Sequence, residues 1–443
     1  MLSAVAAPRF FERPRQIAIG LALFGFVVRL GLAIMLGLSA PPRPGSDQNE
    51  YDTYAWNLAQ GRGYRGMSAD VADQDHLTAY RPPGPSLVWA GLYKIFGHRY
   101  DVIRIMHCLV GAVSVLLVYE IGRRCYSDRV GLLAAATTAV FPTALLYTVD
   151  LLSEALGIFW FLATILACLW FAERPSVARS VAAGGLLGVC ILTRPNSIFM
   201  VPLLALWGAW QFRGQWRQML QAATICLVAG AVLAPWAVRN YVVFHKFIPL
   251  STMAGSGLLQ GNNDLVVTDP RYFGYSVWDS SLPEYRETLK SAGDEVERDK
   301  RAKDLAIEWL KNNPDQWWFL VRHRFWRSLT PFLQPESPRL NRIGMLVAWG
   351  PVLVLFSLAY FPTLAGFLRR RQPGWLLHLG ILHYLLTSVL FYALARYRIS
   401  VEPLCFILAI RGVEAVVERL KRGAPAPENQ PLAPPAGAAT GNS

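Results

Sequence analysis

Acidic residues that could catalyse a proton transfer stand beside the apolar segments of this chain. Two of them follow the first apolar run, and two flank a later junction between apolar runs: Asp47, Glu50, Asp150 and Glu154. A positioned carboxylate can remove the proton of a hydroxyl group, which typically accelerates a reaction by about 10²–10⁴-fold. These four acids are therefore the candidate catalytic residues, although Asp150 has the plainer alternative role of capping the next helix.

Basic residues stand at corresponding places and could bind an anion. They are Arg194, Arg239, Arg396 and Arg398, together with the pair Tyr80-Arg81 that closes the segment begun by Asp47. The planar guanidinium group binds phosphate oxygens in pairs and can stabilise charge that builds on a phosphate. We therefore take these six residues as candidate phosphate-binding residues. Anchoring at a membrane interface is the alternative role for the arginines.

The composition indicates a polytopic membrane protein. The chain has 443 residues, 53% of them hydrophobic and 16% charged, whereas a soluble domain carries about 25% charged residues. The net charge of +13 does not predict nucleic-acid binding, because no basic face alternates with aromatic residues. All six cysteines lie in or beside apolar runs, so we expect neither a disulfide framework nor a cysteine metal site.

Hydropathy predicts an all-α membrane fold with about ten transmembrane helices. The ten candidate spans are 17–38, 102–121, 130–149, 152–171, 180–194, 196–212, 218–238, 343–367, 375–395 and 400–418. With the N-terminus in the cytoplasm, every link on the inner side is basic and the C-terminus returns to that side, as the positive-inside rule requires. The acids and arginines named above then meet on the outer face, where ionisable groups at membrane depth are costly and usually functional.

This topology divides the chain into four parts. Residues 1–238 form a transmembrane catalytic module that includes the outer loop 39–101, and residues 239–342 form a second, larger outer loop. Residues 343–418 form the C-terminal spans, and the low-complexity residues 423–443 are predicted to be a disordered cytoplasmic tail. In the loops we expect short helices at 52–60 and 88–96, short strands or coil within 249–283, and a helix at the membrane interface near 317–327.

Several motifs in a fixed order resemble a known superfamily. They are D-x-x-x-Y-x-x-x-A-x-N-L-x-x-G-x-G-Y at 47–64, YRPPGPSLVWAGLYKIFG at 80–97, LLSE at 151–154, LTRP at 192–195, PWAVRNY at 235–241, GNN at 261–263 and RYR with a following proline at 396–403. Over most of residues 15–415 the chain resembles the GT-C integral-membrane glycosyltransferases, in the branch of protein O-mannosyltransferases and aminoarabinose transferases.

The resemblance implies a polyprenyl-phosphate-linked sugar donor, an acceptor that is a lipid, glycan or protein, and inversion at the sugar carbon. It implies that Asp47 is the base, that Asp150 or Glu154 is a second acid, and that Arg398 or Arg396 holds the lipid phosphate. Many members have two adjacent acids where this chain has Asp47-Gln48, so the partner acid is left open, with Glu50 as a candidate. No metal ligand set is evident, and we expect no cofactor, with a divalent metal as the alternative.

The expected location is a bacterial cytoplasmic membrane, with the site on the periplasmic face and membrane lipids as partners. Two other functions fit the same composition. One is a transporter or flippase of a lipid-linked or anionic solute; the other is an assembly subunit without catalysis. Transporters usually place their polar groups near the membrane midplane, whereas the topology puts these at the outer rim, which favours the enzyme.

Overall fold

A computed structural model describes residues 13–66, 75–330, 339–369 and 374–423. Within these ranges the chain is helical, and the one β interaction is an isolated bridge between Arg65 and Leu77. The predicted all-α fold class is therefore confirmed. The predicted disordered tail lies, apart from Gly423, outside the described residues.

The helices are numbered α1 to α19 in chain order. The first ten are α1 (Pro14–Leu36), α2 (Asp47–Ala59), α3 (Gly84–Phe96), α4 (Tyr100–Cys125), α5 (Asp128–Val140), α6 (Pro142–Val149), α7 (Glu154–Glu173), α8 (Val177–Thr193), α9 (Met200–Gln211) and α10 (Trp216–Phe244). The others are α11 (Ala254–Gly261), α12 (Leu265–Thr268), α13 (Pro283–Lys290), α14 (Glu295–Asn312), α15 (Gln316–Leu329), α16 (Arg339–Arg369), α17 (Trp375–Leu390), α18 (Ala395–Arg398) and α19 (Glu402–Gly423).

Four of these helices are long and apolar enough to cross a membrane: α1, α4, α7 and α10. Helices α5 and α6 add a fifth candidate if they form one span, bent by 48°. Helices α8 and α17 and the segment Leu346–Tyr360 are apolar but shorter. Membrane-spanning helices are thus present, while the count of ten spans and their orientation stay predictions. First and second outer loop are kept below only as names for residues 39–101 and 239–342.

The bend between α5 and α6 has a clear cause in the sequence. Pro142 has no N–H group to donate to the carbonyl of Thr138, so the helix breaks there. Arg29 of α1 replaces the lost bonds, because its Nη2 atom donates to Thr138 O at 3.2 Å and its Nη1 atom donates to Ala139 O at 3.1 Å. The arginine is only 1% exposed. A charged residue deep in a span is tolerated here because it satisfies backbone groups that have no water to bind.

The first outer loop begins its helix earlier than the sequence pattern predicts. Helix α2 starts at Asp47 rather than near residue 52, because the Ser46 hydroxyl accepts a hydrogen bond from Asn49 N at 3.4 Å and caps the helix. Asp47 and Glu50 therefore occupy its first turn. Such a position favours acids, since the N-terminal end of a helix carries partial positive charge.

The second outer loop is also more helical than predicted. The stretch 249–283, expected as coil with possible short strands, holds no strand; between segments of coil lie α11, α12, a 3₁₀ turn at Asp279–Ser281 and the start of α13. The helix predicted near 317–327 is present as α15, while its place at the membrane interface stays a prediction. Its Trp317, Trp318 and Trp326 side chains are largely exposed.

The two outer loops are joined through one buried carboxylate. Glu295, the first residue of α14, accepts hydrogen bonds from the Thr78 hydroxyl and Ala79 N, each at 2.6 Å, and from the Thr252 hydroxyl at 3.2 Å. Thr252 N also donates to Ala79 O at 3.0 Å. The second loop therefore fixes the segment that leads directly into Tyr80 and Arg81.

We expect Arg29→Lys to lower stability. Lysine keeps the charge but cannot reach both carbonyls with a planar fork, and an unsatisfied buried carbonyl costs about 1–3 kcal/mol. The measurement is the thermal unfolding midpoint of the purified chain in detergent. Arg15→Lys is the matched control, because Arg15 is exposed in the first turn of the same helix. Equal midpoints for both variants would contradict the role given to Arg29.

We expect Glu295→Ala to loosen the first outer loop, because it leaves the Ala79 N–H group buried without its acceptor. Hydrogen exchange of residues 76–83 should become at least about tenfold faster, which corresponds to a loss of about 1.4 kcal/mol in local stability. Glu297→Ala is the control, since Glu297 pairs with Arg301 on the surface of the same helix. If Glu297→Ala accelerates exchange equally, the hydrogen bonds of Glu295 are not what holds this loop.

Candidate active site

Three carboxylates and three guanidinium groups form a continuous chain of ion pairs where α2, α7 and α18 meet. We call this the ion-pair cluster; its members are Asp47, Glu50, Arg81, Glu154, Arg194 and Arg396. All six were singled out from the sequence as candidate site residues. The structure brings them together from segments up to 349 positions apart.

Asp47 lies at the centre of the cluster and uses both carboxylate oxygens. Its Oδ1 atom accepts from Arg81 Nη2 at 2.7 Å, and its Oδ2 atom accepts from Arg396 Nη1 at 2.6 Å. Burial alone would raise the pKa of Asp47, but the two guanidinium groups hold that pKa well below its ordinary value. Asp47 is therefore a stable carboxylate in this arrangement.

Glu50 and Arg81 form the edge of the cluster in the first outer loop. Arg81 Nε donates to Glu50 Oε2 at 2.6 Å, and the guanidinium group also lies 5.2 Å from the centre of the Tyr80 ring. Burial raises the pKa of Glu50 in spite of Arg81. Tyr80 is buried and its ring packs against the guanidinium group of Arg81.

Glu154 holds the other two arginines. Its Oε1 atom accepts from Arg396 Nε at 2.5 Å and lies 3.0 Å from Arg194 Nη1. Its Oε2 atom is buried and has no hydrogen-bond partner among the described residues. One carboxylate oxygen at the base of the cluster is thus left to accept a further donor.

Small residues create the space that these side chains need. A Cβ atom on Gly157 would lie 2.7 Å from Arg194 Cγ, so the glycine lets Arg194 cross α7 to reach Glu154. A Cβ atom on Gly84 would lie 2.7 Å from Leu192 O, so this glycine lets the start of α3 pack against the end of α8. These two contacts bring the Arg81 and Arg194 segments to one place.

Asp150 lies beside the cluster rather than in it. Gln48 Nε2 donates to Asp150 Oδ1 at 3.1 Å, and Gln48 Oε1 accepts from Leu151 N at 3.2 Å. Burial raises the pKa of Asp150. Gln48, which stands where a second acid was expected, therefore ties α2 to the turn that carries Asp150 and Glu154.

Two predicted phosphate-binding arginines lie outside the cluster. Arg239 donates to the carbonyl groups of Thr78 and Tyr64, at 2.8 and 3.0 Å, and so supports the first outer loop. Arg398 pairs with Glu402, with Nε 3.0 Å from Oε1, and its guanidinium carbon lies 4.2 Å from the centre of the Trp349 ring. The sequence left Arg396 and Arg398 as alternatives; in the structure Arg396 pairs with Asp47 and Glu154, whereas Arg398 pairs with Glu402.

Glu295 and Gln48 are positioning residues that the sequence analysis missed. Glu295 lies within a highly charged stretch, where nothing marks one acid as buried, and Gln48 carries no charge. Three further acids of the first outer loop, Asp70, Asp73 and Asp75, are read from the sequence as ordinary solvated residues, and Asp75 is an exposed partner of Arg65, at 3.5 Å. Asp70 and Asp73 lie outside the described residues.

The described part of the chain contains no group of three histidine, cysteine or acidic side chains arranged to hold a metal ion. The carboxylates of the cluster face arginines instead. The expectation of metal independence stays a prediction.

Comparison with known proteins supports the fold and part of the sequence resemblance. Residues 80–238 match the family model described as dolichyl-phosphate-mannose-protein mannosyltransferase. This region contains Arg81, Asp150, Glu154 and Arg194. Comparison with curated protein sequences gives no match.

The archaeal oligosaccharyltransferase AglB from Archaeoglobus fulgidus is similar in structure. Its structure with a tethered acceptor peptide matches with a TM-score of 0.57 and 14% identity. That match covers 94% of this chain and 51% of the other chain. The structure of AglB in complex with an inhibitory peptide and dolichol-phosphate matches with a TM-score of 0.56 and 14% identity. That match covers 95% of this chain and 53% of the AglB chain. This chain thus spans about half the length of those chains. Another structure of that enzyme contains Zn and sulfate.

A further match is ArnT from Cupriavidus metallidurans bound to undecaprenyl phosphate. Its TM-score is 0.41 and its identity is 15%, and the match covers 89% of this chain and 78% of the ArnT chain. Residues 80–238 thus resemble the mannosyltransferase family that the matching model describes, and the chain shares its helical fold with AglB.

Proposed function

We propose that this protein transfers a sugar from a polyprenyl-phosphate-linked donor to a hydroxyl group of a lipid, glycan or protein acceptor. The observation that carries the proposal is the ion-pair cluster, because it places a carboxylate between arginines that can bind phosphate. The transferred sugar is a hexose or a pentose. No cofactor takes part in the proposed reaction.

The proposed reaction is a single displacement with inversion. Asp47 takes the proton of the acceptor hydroxyl, whose oxygen forms a bond to the anomeric carbon of the donor sugar. The bond between that carbon and the phosphate oxygen breaks, and the polyprenyl phosphate leaves with the electron pair. Arginine stabilises the phosphate as its charge grows, and Arg396 is the most accessible cluster arginine, with 27% of its side chain exposed.

In the proposal, the other candidate residues hold Asp47 and Arg396 in position. Glu154 holds Arg396 and Arg194 in place, and Glu50 does the same for Arg81. Asp150 lies next to the cluster through Gln48 and is available as a second acid. Arg239 and Tyr80 position the first outer loop, while Arg398 and its partner Glu402 position the turn that carries Arg396.

We further propose that the protein works in a bacterial cytoplasmic membrane, with about ten spans, both termini in the cytoplasm and the cluster on the periplasmic side. The basic inner links support this orientation. The names of similar proteins support the class of donor: the matching family model refers to dolichyl-phosphate-mannose, and AglB has been solved with dolichol-phosphate. At 14% identity, the donor and the acceptor of this chain are proposals.

We expect Asp47→Asn to reduce sugar transfer by about 10²–10⁴-fold, because an amide cannot take the acceptor proton. Transfer is measured in membranes from cells that express the chain, supplied with radiolabelled polyprenyl-phosphate sugars. The sugar to test is chosen by mass spectrometry of the lipid-linked sugars that accumulate when the gene is deleted.

Asp269→Asn is the matched control, since Asp269 pairs with the exposed Arg271 on the outer side, and it should keep full transfer. Full activity of Asp47→Asn at equal expression would rule out Asp47 as the base. Solute flux into liposomes without any sugar donor would instead favour a transporter.

A further inference from the structure

The charges of the ion-pair cluster balance before any substrate binds. Three carboxylates face three guanidinium groups, and Asp47 has each oxygen on a different arginine. A phosphate group that enters adds negative charge to this closed arrangement. Because a surplus buried charge is costly, the phosphate has to take an arginine from one of the carboxylates.

We propose that donor binding exchanges the partner of Arg396, which leaves Asp47 for the donor phosphate and thereby frees Asp47 to act as a base. This inference rests on the proposed function and adds a coupling between its two substrates. The acceptor hydroxyl finds an unoccupied oxygen on Asp47 only after the donor has bound. The cluster without substrate is therefore a resting state.

Arg396 is the arginine that the geometry singles out for this exchange. Its side chain is 27% exposed, against 9% for Arg81 and 7% for Arg194. It lies in the one-turn helix α18 between two longer helices. Its Nε atom can stay on Glu154, at 2.5 Å, while the Nη1 atom now bound to Asp47 turns to a phosphate oxygen.

The exchange changes the chemistry of Asp47 in the required direction. In the resting state, Arg81 and Arg396 hold the pKa of Asp47 well below its ordinary value, against the effect of burial. Loss of Arg396 and the arrival of a negative phosphate both favour the protonated form, so the carboxylate becomes a better proton acceptor. The donor would thus activate the base that the reaction needs.

The test measures binding of undecaprenyl monophosphate, which has no sugar to transfer, to the purified full chain in detergent. We expect Asp47→Asn to bind it roughly tenfold more tightly, because the asparagine no longer competes for Arg396. Arg396→Gln should bind it at least about tenfold more weakly. In the double variant, the gain from Asp47→Asn should disappear.

Glu50→Gln is the matched control for a general loss of negative charge. Glu50 belongs to the same cluster but bonds to Arg81 Nε rather than to Arg396. We expect it to tighten binding much less than Asp47→Asn. An equal gain in both variants, or a gain from Asp47→Asn that persists when Arg396 is glutamine, would overturn the exchange.

A second measurement needs no variant and so does not depend on how the variants fold. Infrared difference spectra of the unaltered chain, with and without undecaprenyl monophosphate, should show a shift in a carboxylate stretching band as one carboxylate loses its arginine. Binding without such a shift would overturn the inference. If the variants bind undecaprenyl monophosphate as expected but the unaltered chain transfers no sugar, the proposed function is overturned instead. A failure of the exchange and a failure of the proposed function can therefore be told apart.

Discussion

The site depends on one arginine that bonds to two acids from distant parts of the chain. Arg396 joins Asp47 of α2 to Glu154 of α7, and without it those carboxylates would repel each other in a poorly hydrated place. Two further arginines complete the neutralisation. Buried charges are tolerated when each has a partner and hydrogen bonds. The same ion pairs therefore help to hold the helices around the cluster in their relative positions.

The membrane imposes a second constraint, which the structure meets by pairing polar groups within the protein. A span broken at Pro142 leaves carbonyl groups without donors, and Arg29 supplies them from a neighbouring helix. The pair of Arg398 and Glu402 is buried nearby, and Glu402 also accepts a hydrogen bond from the Thr143 hydroxyl at 2.5 Å. Charged residues thus support the junction between α5 and α6, and α6 leads directly to the turn that carries Asp150 and Glu154.

Hydrogen bonds from the two outer loops hold the backbone that lies next to the cluster. Residues 76–81 contain little regular structure, yet Glu295 and Arg239 take up the hydrogen-bonding groups of this segment. Gln48 does the same for the turn after α6. None of these three residues belongs to the ion-pair cluster. They bind the backbone that carries its members, so the second outer loop contributes to the geometry of the cluster.

Much of this protein could be predicted from the sequence alone. Long apolar runs require helices in a membrane, and charged residues beside those runs are candidates for function, so all six members of the cluster were among the candidate site residues. The sequence could not pair them, because which acid meets which arginine depends on how helices hundreds of residues apart pack. Arg396 and Arg398 are two positions apart, and only packing sends one to Asp47 and Glu154 and the other to Glu402. Buried partners such as Glu295 also emerged only from the tertiary structure, because burial is not encoded by the residue type.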